Sequence, residues 1–229
     1  MLALLHTSPV HVPVFDALRD EDHPGLELRH SVDEELLARA RIEGPAAVAG
    51  EVRAALGRAV ADGAAAVLCT CSTIGGIAER ADAGVPVLRV DRPMAAAAVA
   101  VGPRVAVVAA LESTLAPTVA LVEDEARAAG RPVTIRTLLA DGAWPRFEAG
   151  DRDGFAAAVA ATADSVTDAD VIVLAQASMA PAQRLTTTAV PVLSSLRPGL
   201  AAGAAAARLA RTHPVPSRTH PVRIPRATG

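Results

Sequence analysis

The chain has 229 residues, room for one large domain or two lobes of roughly 100 residues each, and 51% are apolar, enough for a substantial core. All 22 basic residues are arginine and tyrosine is absent, which excludes a Schiff-base lysine, a P-loop lysine and a phenolic acid or base. A net charge of -3 argues against nucleic acid or an acidic membrane as partner, and two cysteines do not make a disulfide scaffold.

In chain order, strands are expected at 2–5, 26–30, 65–69, 86–90, 105–109, 133–138, 171–175 and 191–193. Helices are expected at 34–41, 45–62, 73–83, 93–101, 113–129, 151–168, 178–188 and 198–211. Short runs without polar alternation suit strands buried on both faces, as in a parallel sheet, and the β/α alternation implies an α/β fold. The start lacks a basic signal-peptide region and no stretch approaches ~20 strongly apolar residues, so a soluble cytoplasmic protein is expected. Asp16, His23, His30, Asp33 and Glu34 fall in a loop-rich stretch and read as solvated surface.

An internal repeat organises the chain. "AVLCTCSTIG" (66–75) is followed by "VPVLRV", and "VIVLAQASMA" (171–180) by "VPVLSS". Cys71 to Val85 is 14 residues, as is Gln176 to Val190, and "LALLHTS" near the start resembles "VAVVAALES". The expected architecture is two pseudo-symmetric lobes, 1–98 and 99–195, each a parallel sheet flanked by helices, with a cleft between them. Helix 198–211 completes lobe 1. The proline-rich tail, 212–229, is expected to be disordered, and its two His-Pro steps are too sparse for a metal site.

Ligands of parallel sheets bind at the carboxyl ends of the strands. Those ends carry His6, Thr7 and Ser8; Cys71, Ser72 and Thr73; Asp91 and Arg92; Glu112, Ser113 and Thr114; Gln176 and Ser178; and Ser194 and Ser195. Ser72, Thr73, Ser113 and Ser178 sit at expected helix starts, where they either cap the helix or hold a carboxylate together with free N–H groups. His6 either orients Cys71, binds a carboxylate, or caps the sheet edge.

Cys69 falls within a strand and reads as an apolar filler. Cys71 lies past the strand at a helix N-terminus, where dipole and N–H groups favour a thiolate; a buried small residue is the other reading. C-x-C supplies only two sulfurs, so no metal is expected, and a bridge spanning one residue is geometrically awkward. No Gly-x-Gly-x-x-Gly follows a strand, so a nucleotide site is not expected.

Three stretches resemble the aspartate/glutamate racemase superfamily, which includes hydantoin racemase, maleate isomerase and arylmalonate decarboxylase. "LCTCSTIGG" is similar to its first cysteine motif and puts the family cysteine at Cys71. "VVAALESTLAPT" (107–118) resembles the opening of the second lobe. "VIVLAQASMAPA" (171–182) resembles the second cysteine motif, but with Gln176 in place of the cysteine. The resemblance implies cofactor-independent, cysteine-mediated proton transfer at the carbon of a small, amino-acid-like carboxylate. Cys71 would be catalytic, and His6, Thr7, Ser72, Thr73, Ser113, Thr114, Gln176 and Ser178 would bind substrate. It also implies a homodimer. Two-thiol racemisation needs a second proton donor that glutamine cannot supply. A one-thiol isomerase, a decarboxylase-like member or a silent acid-binding protein therefore stands as the alternative. Arylmalonate decarboxylase keeps its lone cysteine in the second motif, so that reaction does not carry over directly.

Overall fold

The structure is a computed structural model that describes residues 1–212; the expected tail lies, beyond Thr212, outside the described residues. Two four-stranded parallel sheets form the frame. In the first, β1 (Leu2–His6), β2 (Leu28–Val32), β3 (Ala66–Cys69) and β4 (Val87–Arg89) run in the order β2-β1-β3-β4. In the second, β5 (Arg104–Ala109), β6 (Thr134–Leu139), β7 (Val171–Leu174) and β8 (Val192–Leu193) run β6-β5-β7-β8. The registers repeat: Leu2 pairs with Ala66 as Val105 pairs with Val171, and Val67 with Val87 as Ile172 with Val192. This is the pseudo-symmetric α/β architecture that the repeat implies.

Helices α1 (His11–Asp22), α2 (Glu34–Glu43), α3 (Ala49–Ala61), α4 (Ser72–Glu79) and α5 (Arg92–Val101) follow in the first half. The second half holds α6 (Leu115–Ala128), α7 (Ala143–Glu148), α8 (Arg152–Asp164) and α9 (Leu196–Thr212). The central strands β1, β3, β5 and β7 are buried on both faces, which is why their sequences are unbroken apolar runs. The period of two then sorts side chains. Ala3, Leu5, Val67 and Cys69 pack toward α2, α3 and α4, whereas Leu2, Leu4 and Leu68 pack against Phe15 of α1 and Leu196 and Leu200 of α9.

The lobes exchange helices. Met94, Ala95, Ala98 and Val99 of α5 pack on Val105, Val107, Val171 and Val173 of the second sheet, while α9 lies on the first. Gly199 permits the α9 approach, because a Cβ there would stand 2.4 Å from the Val90 carbonyl.

Two helices were not read in the sequence. Residues 11–22 are helical despite Pro13, which sits in the first turn, where its missing N–H has no intrahelical partner to lose. The short α7 fills the loop after β6. Residues 45–62 divide into a 3₁₀ turn (Pro45–Val48) and α3, and 177–184 form a 3₁₀ helix because Pro181 interrupts α-type bonding. Among the described residues no helix is long and apolar enough to cross a membrane.

Candidate active site

Cys71 occupies the N-cap of α4 in extended conformation (φ -103°, ψ 117°), and its side chain makes no capping hydrogen bond. The thiol belongs to a residue that is 8% exposed, whereas Cys69 is fully sealed in the sheet. Burial first, then the neighbouring Cys71, pushes the Cys69 thiol far up, so it stays neutral. The two sulfurs are free cysteines, with Cys69 Sγ donating weakly to the Cys71 carbonyl at 3.8 Å.

The first turn of α4 is held from below by a buried ion pair. Arg89 meets Asp91 in two bonds, Nε to Oδ1 at 2.6 Å and Nη2 to Oδ2 at 2.8 Å, with 5% and 0% of the side chains exposed. Arg89 Nη2 also donates at 3.5 Å to the carbonyls of Ser72 and, across the lobes, Pro117. Gly75 and Gly76 of the cysteine motif make room for this guanidinium: a Cβ on Gly75 would lie 3.1 Å from Arg89 Cβ and 3.3 Å from its Nε. At the rim, Arg92 binds Glu79, Asp124 and Glu125, joining α5, α4 and α6.

In the second lobe Gln176 takes the position equivalent to Cys71, at the N-terminus of the 3₁₀ segment. Its Oε1 accepts from the backbone N–H groups of Ala110 (2.7 Å) and Leu111 (3.1 Å). Gln176 itself lines the cleft, with its NH2 group not engaged by these two bonds. The two motifs are joined directly, Ser72 Oγ donating to the Ala175 carbonyl at 2.7 Å.

Both motifs line one narrow pocket between the lobes, with about 50 Å³ of free space. Of the residues expected there, Thr7, Cys71, Ser72, Thr73, Thr114, Gln176 and Ser178 line it, joined by Ser8. His6 and Ser113 do not. Ser113 Oγ is sealed from solvent without a partner among the described residues. His6 is fully buried, its Nδ1 2.8 Å from Thr70 Oγ1 and its Nε2 2.9 Å from His30 Nδ1. His30 is thus a partner of the core histidine and not the surface residue its sequence context suggests.

The remaining wall was not found in the sequence. His11 and Thr70 supply further polar groups, and Leu37, Leu111, Trp144 and Phe147 an apolar side. Trp144 and Phe147 stack at 4.9 Å between centroids, with Arg152 over the Phe147 ring and Arg41 over Trp144. Trp144, the single tryptophan, follows β6, so the strand-end rule applied to that strand would have pointed to it. Among the described residues no arginine lines the pocket. Burial, with His11 and His30 beside it, lowers the His6 pKa to about 3; burial and then Arg152 lower that of His11 to about 4. Both rings are therefore neutral at pH 7. Among the described residues no group of three or more His, Cys, Asp or Glu is gathered to hold a metal.

No curated protein sequence matches the chain. Among solved structures, the chain is similar to a glutamate racemase from Francisella tularensis in complex with D-glutamate (TM-score 0.67, 12% identity, 92% of this chain and 80% of that one). It is also similar to the Picrophilus torridus aspartate racemase (0.63, 14%, 89% and 94%) and to an allantoin racemase from Klebsiella pneumoniae (0.58, 16%, 91% and 87%). At these identities the likeness establishes the fold. The profile of the Asp/Glu/hydantoin racemases matches residues 11–206, nearly the whole described chain. The chain belongs to the Asp/Glu/hydantoin racemase family, whose general activity is isomerisation of the racemase type.

Proposed function

We propose that the protein carries out cofactor-independent proton transfer at the α-carbon of a small monocarboxylate, with Cys71 as the acid/base. The observation that carries this reading is the placement of a nearly buried, uncapped thiol at the N-terminus of α4, inside a pocket of hydroxyl groups. A carboxylate there would accept from the free N–H groups of the first turn and from Thr7, Thr73, Thr114 and Ser178. The same donors would hold the charge that moves onto the carboxylate oxygens when the α-proton leaves. The wall of Leu37, Leu111, Trp144 and Phe147, with no cation beside it among the described residues, favours an apolar substituent over a second carboxylate.

The bond from Gln176 to Ala110 and Leu111 supports a narrower, second reading. It fills, with a neutral group, the place of the second proton carrier, so a one-thiol isomerase, a decarboxylase-like enzyme or a silent acid-binding protein remains in view. A panel of amino acids, substituted hydantoins and arylmalonates in deuterated water separates these. Loss of the α-proton signal, or CO2 release, from members with apolar substituents and not from aspartate or glutamate is the expected result. Binding of the acids with no exchange and no turnover would overturn catalysis in favour of the silent binder.

A further inference from the structure

We propose that the Trp144 indole is a gate over the Cys71 pocket and that Arg41, from the opposite lobe, is its latch. The gate rests on reading that pocket as the substrate site. Cys71 is 8% exposed in a narrow pocket, so a substituted acid reaches its thiol by displacing part of the wall.

Most of that wall is held by the fold. Thr7, Thr70 and Gln176 follow the ends of buried strands, and Ser72 and Thr73 lie in the first turn of α4, over the sealed Arg89–Asp91 pair. Helix α7 differs. Its Pro145, Arg146 and Glu148 are exposed, while Trp144 and Phe147 are half-buried and line the pocket. Six residues of helix therefore separate the pocket from solvent on that side. Gly142 (φ 70°) and Gly150 (φ 80°) bracket them, and a Cβ at either would meet nothing within 4 Å. Those two glycines serve backbone conformation and not packing.

The two rings of α7 are fixed unequally. Phe147 has the core behind it, its ring 5.1 Å from that of Phe155, which is sealed, and Arg152 lies over it at 4.0 Å. Trp144 stacks on Phe147 and leans on the edge of the same core, but its polar side is held at the surface. Its Nε1–H donates to Glu148 Oε1 at 2.6 Å, and Arg41 Cζ lies 5.7 Å from its ring centroid. Arg41 Nη1 stands 3.8 Å from the same Glu148 oxygen, which closes a triangle whose two charged side chains are 38% and 56% exposed.

Spacing makes the clasp. Leu37 and Arg41 are four apart in α2, and Trp144 and Glu148 four apart in α7, so each pair shares one helix face. Leu37 lines the pocket while Arg41 reaches the ring. Because α2 belongs to the first lobe and α7 to the second, the clasp closes across the cleft. An exposed ion pair and an exposed cation–π contact are weak restraints, enough to hold an indole in place and too little to keep it there permanently. When Arg41 and Glu148 part, the indole turns about its side-chain torsions, its stack on Phe147 opens, and the pocket meets solvent.

The test uses the full chain and needs no substrate. Iodoacetamide alkylates thiols, and mass spectrometry assigns the rate to Cys71 or to Cys69, which is fully sealed and reports that the fold is intact. Arg41→Ala should raise the Cys71 rate about two- to fivefold, the effect of one exposed cation–π contact, with Cys69 unreacted. Trp144→Ala should raise it further. With one tryptophan and no tyrosine in the chain, intrinsic emission reads Trp144 alone. Its quenching by acrylamide should increase in Arg41→Ala together with the Cys71 rate, and Glu148→Gln should act in the same direction. Equal Cys71 rates in wild type and Arg41→Ala, a rise shared by Cys69, or a rise without added quenching overturns the gate. The stated pattern with no acid exchanged or turned over overturns the reaction proposed for Cys71 and upholds the gate. Turnover without the stated pattern upholds the reaction and overturns the gate.

Discussion

Ser72 Oγ, one residue past Cys71, donates a 2.7 Å hydrogen bond to the carbonyl of Ala175, one residue before Gln176. The bond ties the two pseudo-equivalent motifs across the cleft, with Ser72 at 5% and Ala175 at 0% exposure. Ser72→Ala should therefore cost about 1–3 kcal/mol, since it leaves a buried carbonyl without that donor. Urea unfolding checks this through a lower midpoint at unchanged slope.

Arg89 and Asp91 form a second support under α4. Asp91→Asn removes one charge from a sealed pair and should destabilise by about 3–5 kcal/mol, whereas replacing both by apolar residues of similar volume should restore much of the loss. A double-mutant cycle in urea measures the difference.

Acid should weaken the fold before most carboxylates titrate. The folded pKa values of His6 and His11, about 3 and about 4, lie below the ordinary 6.5. Between these values the unfolded chain binds protons that the folded chain does not, so stability is fully present above pH 6.5 and falls as pH drops toward the folded values. Each histidine contributes about 1.4 kcal/mol per pH unit near pH 5. Urea midpoints from pH 7 to 5 should show this slope, and His11→Asn should reduce it by about one histidine's share.

Gln176→Cys restores a thiol at the position equivalent to Cys71 and frees the N–H groups of Ala110 and Leu111 from the amide oxygen. If the second proton carrier is what the wild type lacks, this variant gains stereochemical inversion of substrates that the wild type only exchanges or decarboxylates. Polarimetry or chiral chromatography reads it. A variant that folds, binds the acid and still gives no inversion would place the barrier elsewhere.

The strands, the duplication and the cap position of Cys71 were legible because buried parallel strands leave unbroken apolar runs and the two halves share spacing. What was missed has physical reasons. Helix α1 was hidden by Pro9 and Pro13, which read as loop but fit a helix start. His6 was assigned to the cleft from its place at a strand end. Its parity with Leu2 and Leu4 turns it inward, and that parity was readable. Trp144 and Phe147 come from a six-residue helix too short for a periodic signal. The partnership of His6 with His30, 24 positions apart, depends on β1 pairing with β2 in a register that no local pattern specifies.

The account centres on Cys71 and is tested most directly by α-proton exchange in deuterated water. Wild type, Cys71→Ala and Cys69→Ala are compared on the best substrate of the panel. Exchange in the wild type and in Cys69→Ala, with loss of about 100-fold or more in Cys71→Ala, is the result expected of a proton-transferring thiol. Exchange that persists in Cys71→Ala would contradict it.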